Sequence, residues 1–106
     1  SDASLAWHLK NTRGPVIIDI WAPWCGPCRL MDPNLRAAAA SLAGEARFLK
    51  LNADTSEAAA RFGVRSVPTL MLFDGGREAA RQSGLMSKDG IISWVRTNAA
   101  LPAAAG

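Results

Sequence analysis

Apolar positions along this chain switch repeatedly between two rhythms. In residues 3 to 12, ASLAWHLKNT, Leu5 and Leu9 lie four apart on one face with Trp7 and His8 nearby, which predicts a short helix ended by Gly14 and Pro15. VIIDIW, residues 16 to 21, is a continuous β-branched run suited to a central strand buried on both faces, with Asp19 as its one polar member. RLMDPNLRAAAASLAG, residues 29 to 44, forms helix up to Gly44, and Pro33 inside it removes a backbone hydrogen bond and predicts a kink. RFLKLNA, residues 47 to 53, alternates as a strand, and DTSEAAARFG, residues 54 to 63, reads as a short helix with a Thr or Ser cap and Gly63 just past its end. VPTLMLF is a third strand, DGG at 74 to 76 a hairpin turn, and REAARQSG the return strand, although its alanines favour helix. SKDGIISWVRTNAA sets Ile91, Ile92 and Val95 at helical spacing after a Ser87 cap, and LPAAAG, 101 to 106, closes the chain as a frayed tail.

The order is helix, strand, helix, strand, helix, strand, strand, helix. Strands separated by a helix run parallel and hairpin strands antiparallel, so the class is α/β with a mixed central sheet flanked by helices. No repeat or linker marks a boundary, and 106 residues suit one domain with a single core, residues 1–13 supplying its short N-terminal helix.

Charge and composition narrow the function by exclusion. The net charge is +3 and the arginines are spread from Arg13 to Arg96, so no stripe for phosphates or anionic lipid forms, and neither nucleic acid nor membrane is an expected partner. No apolar run nears the ~18 residues of a membrane span, and SDASLAWHLK lacks the pattern of a secretory leader. A cytoplasmic protein is the expectation, although the chain opens on Ser1, and a processed start could have removed an address.

WAPWCGPCRLM, Trp21 to Met31, holds both cysteines, Cys25 and Cys28, separated by Gly26 and Pro27. A bridge closing so short a loop removes little freedom from the unfolded chain and would be a poor staple. A structural zinc wants four ligands, and His8 is the one other nitrogen or sulfur donor of the usual kind, so a metal would need thiolates shared between two chains. That arrangement stays open as a minor alternative, and redox chemistry is the leading use. Cys25 falls where a strand gives way to a helix, where free N–H groups and the helix dipole favour a thiolate, which makes it the attacking sulfur. Cys28 lies on the same helix face, within reach of a mixed disulfide on Cys25. Gly26 admits another backbone, and Pro27 is tolerated in a first turn because its missing N–H had no helical partner.

WAPWCGPCRLMDP resembles the active-site segment of the thioredoxins, and the likeness continues through VIIDIWA, the KLNAD segment at 50 to 54, RFGVRSVPTLMLFDGG and SGLMSKDG. The thioredoxin-2 type is the form most resembled; some of its members carry a zinc-binding extension ahead of the domain, and no such cysteines stand in this chain. The resemblance implies the thioredoxin fold, a redox-active Cys25–Cys28 disulfide, and Asp19 as a buried carboxylate that helps move the proton of Cys28. Desolvation inside VIIDIW agrees by raising the Asp19 pKa. It further implies Lys50 near that carboxylate, a cis Val67–Pro68 bond facing the cysteines, Gly84 along the docking groove and Trp24 exposed beside the nucleophile. A trans proline opening a strand and an outward lysine are the bland readings of Pro68 and Lys50. Trp21, on the strand face of Asp19, is read as packing, and Trp7 and Trp94 as core or part-core aromatics.

Two departures stand out. Only eighteen residues precede Asp19, so the expectation is a sheet without the family's first strand, either a shortened domain or one that lacks its beginning. Strand 47 to 53 would then be an open sheet edge, which invites pairing with another chain. Ser66, Ala53 and Ser83 are smaller or more polar than the groove residues the resemblance implies, which leaves partner choice open. The expected activity is protein-disulfide reduction by a monomer with no bound cofactor and no metal, acting on disulfide-bearing proteins. Electrons would come from NADPH through an external flavoprotein, a thioredoxin reductase. The alternatives are a disulfide oxidase or isomerase, whose direction of flow depends on the stability of the Cys25 thiolate, and a binding module that uses the same groove without turnover.

Overall fold

A computed structural model of the chain describes residues 2–12 and 14–100; Arg13 and the tail at 101–106, expected to fray, lie outside the described residues. The elements follow the sequence order: α1 (Asp2–Asn11), β1 (Val16–Trp21), α2 (Gly26–Ser41), β2 (Arg47–Asn52), α3 (Glu57–Arg61), β3 (Thr69–Asp74), β4 (Arg77–Ser83) and α4 (Lys88–Asn98). The four strands form one sheet in the order β2-β1-β3-β4. β1 pairs with β2 in parallel and with β3 antiparallel, and β3 and β4 form the hairpin. Among the described residues β2 is therefore a sheet edge, as expected without the family's first strand.

The period-two alternation of β1 and β3 sorts their side chains into two apolar layers. Ile17, Leu70 and Leu72 pack under Met31, Leu35, Ala38 and Leu42 of the α2 segment and under Ile91 and Val95 of α4. Val16, Ile18, Ile20, Met71 and Phe73 meet Leu5 of α1 and Ala58 and Ala59 of α3 on the other face. Spacings of three and four between Cys28, Met31, Leu35, Ala38 and Leu42 give α2 its single buried stripe. Burying each large aliphatic side chain stabilises the fold by roughly 1.5–3 kcal/mol, so these two layers dominate its cohesion.

Caps fall where the sequence places them. The Ser56 and Ser87 hydroxyls accept hydrogen bonds from the N–H groups of Ala59 and Gly90 at the starts of α3 and α4. Gly75 and Gly76, at φ +63° and +80°, make the two-residue β3–β4 turn, a conformation side-chain-bearing residues adopt reluctantly. α2 continues through Pro33 to Ser41. Trp7 departs from expectation: it is 62% exposed rather than part of the core. Leu5 and Leu9 take the inward face of α1, and a residue two positions from each points away from it.

Candidate active site

Cys25 is the N-cap of α2: its backbone is extended, and its sulfur accepts a hydrogen bond from the Cys28 N–H at 3.1 Å. That N–H is one of the donors a helix start leaves without an internal partner, so strand β1 and helix α2 together aim a free dipole at the sulfur. Cys25 and Cys28 are joined by a disulfide with their Cα atoms 5.3 Å apart. Both are buried, at 3% and 7% exposure, in a cluster with Ala22 against which Trp21 and Val67 pack. The attacking sulfur is thus more enclosed than a helix start alone suggests, because in the disulfide it folds back onto Cys28. Approach remains open at Gly26, where a Cβ would meet nothing within 4 Å, and Pro27 beside it is exposed.

Opposite the disulfide, the Val67–Pro68 peptide is cis. The loop is pinned from below: buried Thr69 donates its hydroxyl to the Ser66 carbonyl at 2.7 Å and shares a hydrogen bond with the Ser83 hydroxyl at 3.0 Å. The Gly84 N–H donates to the Pro68 carbonyl at 2.9 Å, and Gly84 sits at φ +99° with open space where a side chain would be. The Ser83 hydroxyl, out of pattern by resemblance, thus ties this loop to the end of β4 through Thr69, whereas Ser66 takes part only through its backbone carbonyl. Trp24 is 68% exposed, and its indole N–H is held by both oxygens of Asp54 at 3.1 and 3.2 Å. A groove of about 270 Å³ runs beside it, lined by Trp24, Ala53, Ala59, Val64, Ser66 and Val67.

Beneath the disulfide lies Asp19. It shares the strand face of Ile17, so its carboxyl turns toward α2, and burial to 6% exposure pushes its pKa up to about 6. Lys50 opposes the rise and Asp32 adds to it, both less than burial does. The Asp19 Oδ1 has no hydrogen-bond partner among the described residues. A cleft of about 280 Å³ connects Asp19 with Cys28, Trp21, Arg29, Asp32 and Lys50. Lys50 is the register partner of Asp19 across β1 and β2, but its ion pair is with Asp32 at 2.9 Å, and its ammonium lies 5.0 Å from the centre of the Trp21 ring.

The structure therefore brings Cys25, Cys28, Asp19, Lys50, Trp24, Gly26, Pro27, Val67, Pro68 and Gly84 to one end of the sheet. Two further residues of this site, Asp32 and Asp54, went unread in the sequence. Asp32 stands four positions after Cys28 and four before Arg36, a helical spacing that could have marked it. Asp54 meets Trp24 across a separation of thirty residues, and no local signal carries that contact.

Among the described residues no helix is long and apolar enough to cross a membrane, and no group of three or more His, Cys, Asp or Glu side chains could hold a metal ion. Comparison with known proteins gives a match to the family model described as Thioredoxin over residues 1–97. The chain is 38% identical over 96 residues to a thioredoxin of Haemophilus influenzae, covering 90% of each. It is 38% identical over 99 residues to a thioredoxin of Rickettsia bellii, covering 92% of this chain and 94% of that one. To the chloroplastic thioredoxin M2 of Arabidopsis thaliana it is 44% identical over 86 residues, 80% of this chain and 46% of the plant protein.

Proposed function

This chain belongs to the thioredoxin family of thiol-disulfide oxidoreductases and is a dithiol-disulfide reductase; from that premise we propose how its own residues divide the work. Cys25, as thiolate, attacks one sulfur of a substrate disulfide. A bond forms between Cys25 and that sulfur, and the other substrate sulfur leaves as a thiolate and takes a proton. Cys28 then loses its proton to Asp19 and attacks the Cys25 sulfur, forming the Cys25–Cys28 disulfide and releasing the second substrate sulfur as a thiolate, which takes up a proton in turn. Two electrons pass from the protein dithiol to the substrate, which leaves as a dithiol.

The observation that carries this division is the hydrogen bond from the Cys28 N–H to the Cys25 sulfur, because it favours charge on one sulfur of the pair. Asp19 suits proton exchange because its pKa of about 6 lies near neutral pH, where a carboxyl both accepts and returns a proton. Lys50 tempers that value. Extended substrate would lie across Gly26, Pro27, Trp24 and Gly84 and meet the backbone of Val67, with cis Pro68 as its floor. The family needs no bound cofactor. Recharging by an external flavoprotein reductase that draws on NADPH completes the cycle. A reductase of this kind works where thiols are kept reduced, and that supports reading the protein as a cytoplasmic single-domain monomer acting on disulfide-bearing proteins.

Insulin reduction in the presence of dithiothreitol tests the reading. The expected result is precipitation of insulin chains well ahead of the dithiothreitol background, lost in Cys25→Ser; a wild-type rate equal to background contradicts it. Equilibration with glutathione separates reduction from oxidation, since a couple well above the cytosolic poise would mark an oxidase.

A further inference from the structure

Asp32 takes no part in the exchange as described above, yet it holds Lys50, the cation whose charge acts on Asp19. It lies one turn along α2 from Cys28, and its two carboxylate oxygens accept from Lys50 at 2.9 Å and from Arg36 at 2.8 Å. Lys50 reaches this pair from β2, where it stands in register with Asp19, and the Trp21 ring backs its ammonium on another side. In parallel strands register partners project from the same face, so Asp19 is the carboxyl Lys50 would meet if Asp32 did not claim it.

We propose that Asp32 is a positioning residue for the resolving step: it engages the Lys50 ammonium that Asp19 would otherwise pair with, and leaves Asp19 free to take up and return the proton of Cys28. The inference rests on the reading of Asp19 as the proton carrier. Three features support it. The Asp19 Oδ1 is buried without a hydrogen-bond partner while a lysine stands in the neighbouring register position. The lysine's hydrogen bond, more than any other cause, holds the Asp32 carboxyl below its ordinary value, so it is Asp32 that carries the paired negative charge. One cleft joins Asp19, Cys28, Asp32 and Lys50 without an intervening element.

The charged groups facing Asp19 are few enough to test in turn. β2 contributes Lys50, and α2 contributes Asp32, with Arg29 and Arg36 lining the clefts that reach the carboxyl. β3 and α4, which pack on the same layer, present Leu70, Leu72, Ile91 and Val95. Asp32 acts on Asp19 in two ways of the same sign: it removes a cation from it and adds an anion near it. A cycle with Lys50 separates the two, because only the first needs the lysine.

The experiment follows the Asp19 carboxyl carbon by NMR from pH 4 to 9 in the wild type, Asp32→Asn, Lys50→Gln and the double variant. Asp32→Asn is expected to lower the Asp19 midpoint by about one unit and Lys50→Gln to raise it. In the Lys50→Gln background the Asp32→Asn shift should fall to less than about half, and Asp32→Glu should restore the wild-type midpoint. An equal shift with and without the lysine, or no shift at all, overturns the proposal. Single-turnover release of substrate from the mixed disulfide supplies a second reading: its pH midpoint should move down with that of Asp19 in Asp32→Asn. If Asp19→Asn leaves that profile unchanged, the proton-carrier reading fails and the catalytic purpose of Asp32 with it. The NMR cycle still decides by itself whether Asp32 governs Asp19.

Discussion

The sheet is covered on both faces by apolar layers, and among the described residues each face buries one polar side chain, with opposite consequences. Against α1 and α3 the residues are Val16, Ile18, Ile20, Met71 and Phe73, and the buried polar neighbour on that face, Thr69, has its hydroxyl bonded to the Ser66 carbonyl and the Ser83 hydroxyl. Against α2 and α4 the alternation that buries Ile17 delivers Asp19 next, under Cys28. The first face keeps its buried polar group fully partnered and loses no cohesion to it. The second gives up cohesion at one site, because a carboxyl that ionises there loses water without gaining a hydrogen bond for its Oδ1. Catalytic chemistry and stability are thus set against each other on one side of the sheet only.

Substitutions on the two faces should therefore differ in sign. Ile18→Ala, on the face without the carboxyl, is expected to cost about 2–5 kcal/mol in urea unfolding while leaving insulin reduction per folded molecule unchanged. Asp19→Asn should do the reverse. The folded protein binds the Asp19 proton more tightly than the unfolded chain, at about 6 against 3.8, so stability present below pH ~4 is lost as the pH rises through 6. Removing that loss makes Asp19→Asn more stable than the wild type by about 3 kcal/mol at pH 8, with the two converging near pH 4. Resolution of the mixed disulfide should slow by up to about 10²-fold in the same variant. An Asp19→Asn protein that is both less stable than the wild type and fully active would erase the contrast between the faces. Asp54→Asn, which loosens Trp24 at the surface, is the smallest change: stability within about 0.5 kcal/mol, with a raised KM and an unaltered kcat.

Elements were legible where one rhythm held over a whole segment. The β-branched run of β1 and the three-four stripe of α2 each fix one face, and the Gly75–Gly76 turn fixes the register of the hairpin. β4 was harder, since REAARQS is mostly exposed and its alanines favour helix, and only pairing with β3 makes it a strand. Trp7 was misread because an aromatic near an apolar face resembles core until the helix phase is fixed by Leu5 and Leu9. In the site, the dithiol and buried Asp19 were carried by local motifs, and the cis Val67–Pro68 bond by the family resemblance alone. Asp32 and Asp54 were not, because their partners Lys50 and Trp24 lie eighteen and thirty residues away. Lys50 was placed beside the right carboxyl, but its ion pair went to the other one.

The asymmetry between the two sulfurs is what the whole exchange depends on, and alkylation of the reduced protein reads it directly. Iodoacetamide should modify Cys25 first, with a rate that rises through a midpoint below the ~8.5 of a free cysteine, while Cys28 stays protected over the same range. Equal modification of both thiols, or a Cys25 midpoint at the free-cysteine value, would contradict the account.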